Sequence, residues 1–198
     1  MAVKRDGINV WWRGVMRRQD ITASSPLLEW CFIVNDAVAR LQAFAVVHEL
    51  MYSTQQEEIE LHGALRGVAE IGSELYRDRQ ADISVGGDSV LYPSKPATNM
   101  CIAANELITN AIKYGGPGPG GRLAVRVRIA REDDKFSLAV WNSGNHVPAD
   151  FDPSQQTGMG LQVVRAVAVD QYQGTFSMRP HRGGTLAEIV VDDQALRD

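Results

Sequence analysis

A chain of 198 residues that is 44% hydrophobic, 22% charged and 7% aromatic, with a formal net charge of −4, has the composition of a soluble globular protein. It is long enough to bury a core without disulfide or metal staples. No apolar run approaches the roughly 20 residues that a membrane helix needs, and Met1-Ala2-Val3-Lys4 lacks the basic-then-apolar order of a signal peptide, so the expected location is the cytoplasm. Cys31 and Cys101 sit in apolar surroundings with no Cys-x-x-Cys or Cys/His spacing, which argues for two small core residues and against a disulfide framework or a zinc site. The mild acidity is spread along the chain and argues against nucleic-acid binding driven by net charge.

Residues 10–18 read as a short helix in which Trp11 and Trp12 pack against neighbours. Over residues 25–52, Leu27, Cys31, Val34, Val38, Leu41, Ala45, His48 and Tyr52 recur at alternating intervals of four and three, a heptad seam, with Pro26 just inside the helix start. A second stripe through Trp30, Ile33, Ala37, Phe44, Val47 and Met51 makes this helix apolar on more than one face, as in a bundle formed by two chains. A further helix is expected over residues 57–79, with Ile59, Leu61, Leu65, Val68, Ile71 and Leu75 turned inward.

The pattern changes near residue 80, which divides the chain into a helical hairpin region, 1–80, and a second domain, 81–198. In the second, strands are expected at residues 83–85, 123–130, 135–142, 175–178 and 185–191, and helices at 97–114 and 160–172, with a loop over 143–157. Arg122, Arg126 and Arg128 alternate with Leu123, Val125, Val127 and Ile129, so one face of the sheet is covered and the other wet. The expected architecture is α+β, a two-layer α/β sandwich preceded by the helical hairpin.

On the helix over 97–114, Glu106, Asn110 and Lys113 fall at i, i+4 and i+7 with Thr109 beside them, while Cys101, Ala104, Ile108, Ala111 and Ile112 face the sheet. A carboxylate, an amide and an ammonium on one stripe suit a nucleotide site: the amide oxygen holds hydrated Mg²⁺, the carboxylate orients or deprotonates a nucleophile, and the ammonium neutralises phosphate. Asn142-Ser143-Gly144 ends a strand, and Gly158-Met159-Gly160-Leu161 opens a helix, where glycines let phosphate oxygens approach backbone N–H groups.

In order and spacing these blocks resemble the ATP-binding domain shared by histidine kinases, gyrase, the Hsp90 chaperone and MutL, the GHKL or Bergerat fold. Glu106-Leu-Ile-Thr-Asn110-Ala-Ile-Lys113-Tyr114-Gly115 is similar to its N box. The resemblance implies Glu106 as general base or orienting carboxylate, Asn110 as Mg²⁺ ligand, and Lys113 and Tyr114 as nucleotide contacts. It further implies that Asn142 and Gly144 meet adenine, that Gly158, Met159, Gly160 and Leu161 form the second glycine box, and that Gly183-Gly184-Thr185 precedes the last strand, with Thr185 at the nucleotide. ATP and Mg²⁺ are the implied cofactors, and residues 143–157 the lid. Asn35-Asp36-Ala-Val-Ala-Arg40-Leu41 and Val47-His48-Glu49-Leu50-Met51-Tyr52 resemble the dimerisation helices of the second histidine-kinase class, near the HWE kinases. That subgroup implies a homodimer through the N-terminal helices and a response-regulator receiver domain as partner.

Two departures stand out. The family's adenine-contacting Asp is replaced by Asn142, and a usual Gly by His146. An amide oxygen accepts a hydrogen bond without the charge, and its NH₂ donates instead, which leaves affinity and base choice open. No histidine precedes His48, so the phosphoacceptor either lies upstream of Met1 or has been lost; His48 itself falls on the heptad seam and reads as packed. His62 and His181 read as solvated or capping residues. Three functions follow: a histidine kinase core, a GHKL serine kinase of the anti-sigma type acting on a partner, and a degenerate kinase-like scaffold or phosphotransfer module that binds nucleotide poorly.

Overall fold

The computed structural model describes Ala45 and residues 58–118, 120–156 and 158–197. The expected helices over 10–18 and 25–52, with Trp11, Trp12, Cys31 and His48, lie outside the described residues, as does Thr157 at the end of the loop.

The helix expected over 57–79 is shorter. Its first residues form strand β1 (Glu58–Glu60), which pairs antiparallel with β3 (Leu91–Pro93), Ile59 opposite Tyr92. Helix α1 (Leu61–Leu75) starts where the Glu60 carboxylate accepts from the backbone N–H groups of His62, at 3.0 Å, and Gly63, at 2.6 Å. Ser89 Oγ donates to the same carboxylate at 2.9 Å. Leu61, Leu65 and Val68 are buried as expected, but Ile71 is half-buried and Leu75 is 39% exposed. Gly72 takes the inward position instead, and a Cβ there would lie 3.3 Å from Ile108 Cγ2, so the missing side chain sets how closely the helices pack. A 3₁₀ turn, Arg77–Arg79, and Gln80 with φ of 48° end the segment.

Helix α2 (Ser94–Tyr114) begins three residues before the expected Ala97, because Pro93 and Pro96 are tolerated at a helix start. It is preceded by β2 (Asp82–Gly87), which lies parallel to β4 (Ala124–Glu132); α2 is the crossover between them. Then follow β5 (Lys135–Ser143), β6 (Thr175–His181) and β7 (Gly184–Asp192) in antiparallel pairings, giving the five-stranded order β2-β4-β5-β7-β6. Val125, Val127, Ile129, Phe136, Leu138, Val140, Ile189 and Val191 alternate onto the covered face, each contributing about 1.5–3 kcal/mol by burial, and Arg126 and Arg128 stand on the wet face. Helices cover one face of a mixed sheet, the expected two-layer sandwich.

The helix expected over 160–172 is α-helical only over α3 (Met159–Arg165) and widens into a π-helical stretch, Ala166–Gln171, that places Val167 and Ala168 in the core. α1 packs on α2 and β2, so Leu61, Leu65 and Val68 share one core with the sheet and the packing is continuous across residue 80. At the far end a polar clasp closes that core. The Tyr92 hydroxyl donates to buried Asp193, whose other oxygen pairs with Arg131 at 2.9 Å and Arg197 at 2.8 Å, and the Arg197 guanidinium lies 5.2 Å from the Tyr92 ring centroid.

Candidate functional site

The C-terminal end of α2 is stitched to the end of the sheet where β5 finishes and β7 begins. In that register Asn142 faces Thr185 and Ser143 faces Gly184. Gly116 N–H donates to Ser143 O at 2.9 Å, and Ser143 Oγ donates to Gly116 O at 2.9 Å while accepting from Ala124 N–H at 2.9 Å. Asn145 Nδ2 donates to Tyr114 O at 3.2 Å, and Gly144 N–H to Gly183 O at 2.9 Å. Gly144 needs to be glycine twice over: its φ is +82°, and a Cβ would stand 2.4 Å from the Gly116 carbonyl carbon. These bonds bring together three of the blocks singled out in the sequence, the N box, Asn142-Ser143-Gly144 and Gly183-Gly184-Thr185.

Asn142 is buried, and its Nδ2 donates to Ser143 O at 3.1 Å and Asn145 O at 3.3 Å. Thr185 is buried too; its hydroxyl accepts from Val147 N–H at 3.1 Å and donates to Asn145 O at 3.3 Å, so it holds the start of the loop.

The polar stripe of α2 does not lie open along its length. Glu106 is only 4% exposed and Thr109 is buried, because α1 and α3 both pack on this helix and cover what helical periodicity alone reads as a free face. Asn110 and Lys113 are half-buried, and Tyr114 is 71% exposed. The Lys113 ammonium stands 5.9 Å from the centroid of the Tyr76 ring, at the end of α1.

Gly158 caps α3 in extended backbone, with Gly160 and Leu161 half-buried and Met159 65% exposed in the first turn. Gly158 has a φ of −61°, open to any residue, and no protein atom lies within 4 Å of the position of a Cβ. Among the described residues the fold itself makes no demand for glycine there. Before α3, the loop carries a 3₁₀ turn, Pro153–Gln155, capped by Asp152, whose carboxyl is held below the usual range by its hydrogen bonds to Ser154 and Gln155. His146 is exposed in this loop. An open hollow of about 810 Å³ lies at the opposite end of the sheet, by Lys95, Lys135 and Gln171, and none of the expected site residues lines it.

One contributor escaped the sequence reading. Arg79 donates to Lys113 O at 3.3 Å and Gly115 O at 3.0 Å, satisfying carbonyls that the end of α2 leaves unpaired. Nothing in a lone arginine after a helix announces a partner 34 residues away.

The sequence profile of the histidine kinase-, DNA gyrase B-, and HSP90-like ATPases matches residues 97–195, half of the chain, which contain every one of these blocks. The chain belongs to that ATPase family. The chain is also 25% identical over 148 residues to the sensor histidine kinase PdtaS of Mycobacterium tuberculosis; the match covers 74% of this chain and 30% of that protein, so the chain spans under a third of the relative's length. In fold it is similar to the histidine kinase domain of the Erythrobacter litoralis EL346 blue-light activated histidine kinase, with a TM-score of 0.68 and 18% identity over 80% of this chain and 77% of that one. It is similar as well to the histidine kinase ThkA, solved in complex with the response regulator protein TrrA, with a TM-score of 0.59 and 20% identity over 96% of this chain and 59% of that one. The family implies ATP binding. Among the described residues no group of three or more His, Cys, Asp or Glu side chains is placed to hold a metal ion, and no helix is long and apolar enough to cross a membrane.

Proposed function

We propose that the ATPase domain is the catalytic core of a sensor histidine kinase, binding Mg·ATP between the C-terminal half of α2, the start of α3 and the Asn142–Gly144 strand end. It passes the γ-phosphoryl group to a histidine, and from there to an aspartate of a response-regulator receiver domain. The observation that carries this reading is the convergence at the end of α2. Glu106, buried, sits one turn before Asn110 and two before Lys113, on a helix hydrogen-bonded at its end to the strand that bears Asn142. Gly158 adds a position where glycine serves no need of the fold, as expected where phosphate oxygens approach the backbone closely.

In this reading Glu106 orients the attacking imidazole and takes up its proton as the N–P bond forms and the bond to ADP breaks. Its burial keeps water from competing with the histidine. Asn110 would hold Mg²⁺ through its amide oxygen, a hard donor of the kind the ion takes. The ion supplies charge neutralisation on the phosphates. Lys113 reaches the phosphates by leaving the Tyr76 ring. Tyr114 flanks the nucleotide, as do Met159, Gly160 and Leu161, and Gly144 and Thr185 shape the base end.

The relatives named sensor histidine kinases, and the ThkA complex with a response regulator, support a receiver domain as partner. The heptad seam over 25–52 supports a homodimer through the N-terminal helices, working in the cytoplasm. A second reading is a GHKL serine kinase of the anti-sigma type, which phosphorylates a partner and needs no histidine of its own. Incubation with γ-labelled ATP separates them. Acid-labile label that moves to a receiver domain and vanishes in Glu106→Gln is the expected result; acid-stable label on a partner, or full labelling by Glu106→Gln, contradicts it.

A further inference from the structure

Resting on the ATP-binding reading above, we propose that Arg79 is a positioning residue for Lys113: from the turn that follows α1 it fixes the last turn of α2, and with it the ammonium that meets the phosphates. An α-helix leaves its final carbonyls without partners inside the helix, so its last turn frays unless donors come from elsewhere. At the end of α2 and just beyond it, four consecutive carbonyls each accept from a side chain of another element. Tyr114 O accepts from Asn145 Nδ2 at 3.2 Å and Gly116 O from Ser143 Oγ at 2.9 Å. Lys113 O, at 3.3 Å, and Gly115 O, at 3.0 Å, both accept from Arg79 Nη2. The end of β5 and the loop after it thus hold two of the four, and Arg79 holds the other two, one of them the carbonyl of Lys113 itself. The guanidinium also sets positive charge at the negative end of the helix dipole.

The turn that carries Arg79 is itself pinned. Arg79 N–H donates to Tyr76 O at 2.8 Å and Gln80 N–H to Arg77 O at 3.1 Å, and Gln80, with φ of 48°, turns the chain into β2. The start of β4 anchors the far side: Arg122 Nε donates to Gln80 O at 3.4 Å, Arg126 Nη1 to Asp82 O at 2.8 Å, and Asp82 N–H to Leu123 O at 2.8 Å. The same turn opens with Tyr76, whose ring centroid lies 5.9 Å from Lys113 Nζ. Lys113 is therefore met twice from this turn, by Tyr76 at the ammonium and by Arg79 at the backbone. When the ammonium leaves the ring, the place it can reach is set by that backbone.

The contribution of Arg79 to the fold as a whole is small. Its side chain is exposed, so the two bonds compete with water. Loss of the side chain falls on the end of α2 and leaves the shared core untouched.

Calorimetric titration of the full chain with Mg·ATP through a double-substitution cycle tests the proposal. Arg79→Ala weakens Mg·ATP binding at least about fivefold while the melting temperature stays within about 3 °C of wild type. In a Lys113→Ala background the same substitution changes binding less than about twofold, because the group through which Arg79 acts is gone; a merely structural contribution weakens both backgrounds alike. Arg79→Lys recovers most of the loss, since both bonds come from one nitrogen and an ammonium donates in its place. Wild-type binding by Arg79→Ala, an equal loss in both backgrounds, or a loss in Arg79→Lys as deep as in Arg79→Ala overturns the proposal and leaves the ATP site standing; no Mg·ATP binding by the wild-type chain overturns both. Should Arg79→Ala fail to melt cooperatively, Arg79→Gln goes through the same cycle and the same outcomes decide.

Discussion

Substituting Gly144 by Ala, with Gly121→Ala as its control, measures how much the junction between α2 and the sheet holds the fold together. Both glycines have positive φ, +82° and +73°, so each alanine incurs a left-handed cost of about 1–2 kcal/mol, partly offset by a less flexible unfolded chain. They differ in space. At Gly121 no atom lies within 4 Å of the new Cβ, whereas at Gly144 the Gly116 carbonyl carbon, Cα and oxygen stand 2.4, 2.5 and 2.6 Å away. All three are backbone atoms held by the Ser143 hydrogen bonds, so relief means prying α2 from β5, an overpacking cost of about 1–3 kcal/mol beyond the φ cost. The expected loss is about 1 kcal/mol for Gly121→Ala and about 3 kcal/mol for Gly144→Ala, the latter a fall of about 10 °C in melting temperature. Urea unfolding followed by circular dichroism reads both. Equal losses in the two variants would refute the reasoning, because they would mean that the approach to Gly116 constrains nothing.

At Gly158, where φ is negative and the Cβ position is empty, Ala should leave stability within about 0.5 kcal/mol of wild type yet weaken ATP binding several-fold; a calorimetric titration beside a thermal melt checks both. Burial alone would raise the Asp193 carboxyl, but the Tyr92 hydroxyl, Arg197 and Arg131 outweigh it and hold it below its ordinary value. A depressed folded-state value contributes stability above the unfolded carboxyl range that is lost as pH falls through the folded value, so the chain should lose stability on acidification below about pH 4. Asp193→Asn should flatten that acid limb and cost about 2 kcal/mol at neutral pH, the two arginines being part-exposed and screened; an acid limb as steep as wild type in denaturant titrations across pH would count against the clasp. Burial pushes the Cys101 thiol up to about 12, so in a Cys31→Ser background the native chain should resist alkylation at pH 8 and react only on unfolding; rapid native labelling would show that Cys101 is open to solvent.

What the sequence made legible is what repeats or clusters locally. The stripe Glu106, Asn110 and Lys113 lies on one helix, and the alternation from Leu123 to Ile129 marks a half-covered strand, as found. Gly144 was readable because its close approach to the Gly116 backbone admits no side chain. Elements too short to show a period were hidden: β1 and β3 span three residues each, and Glu60 reads as helix until its carboxylate is seen capping α1. Periodicity likewise expects Leu75 inside, although α1 is leaving the core there. The burial of Glu106 depends on α1 and α3 covering α2, and the clasp joins Tyr92 to Asp193 across 101 residues; local pattern carries neither. The orientation of the Asn142 amide is similar, since its hydrogens go to carbonyls whose placement depends on bonds from Gly116 and Thr185.

Titration of the full chain with Mg·ATP in a calorimeter tests the central claim, that the end of α2, the start of α3 and the Asn142 strand end together hold the nucleotide. The account predicts binding of one ATP per chain with submillimolar affinity, lost when Asn110 and Lys113 are both replaced by Ala in a chain that still melts cooperatively. No heat of binding at millimolar ATP, or full binding by the doubly substituted chain, would contradict it.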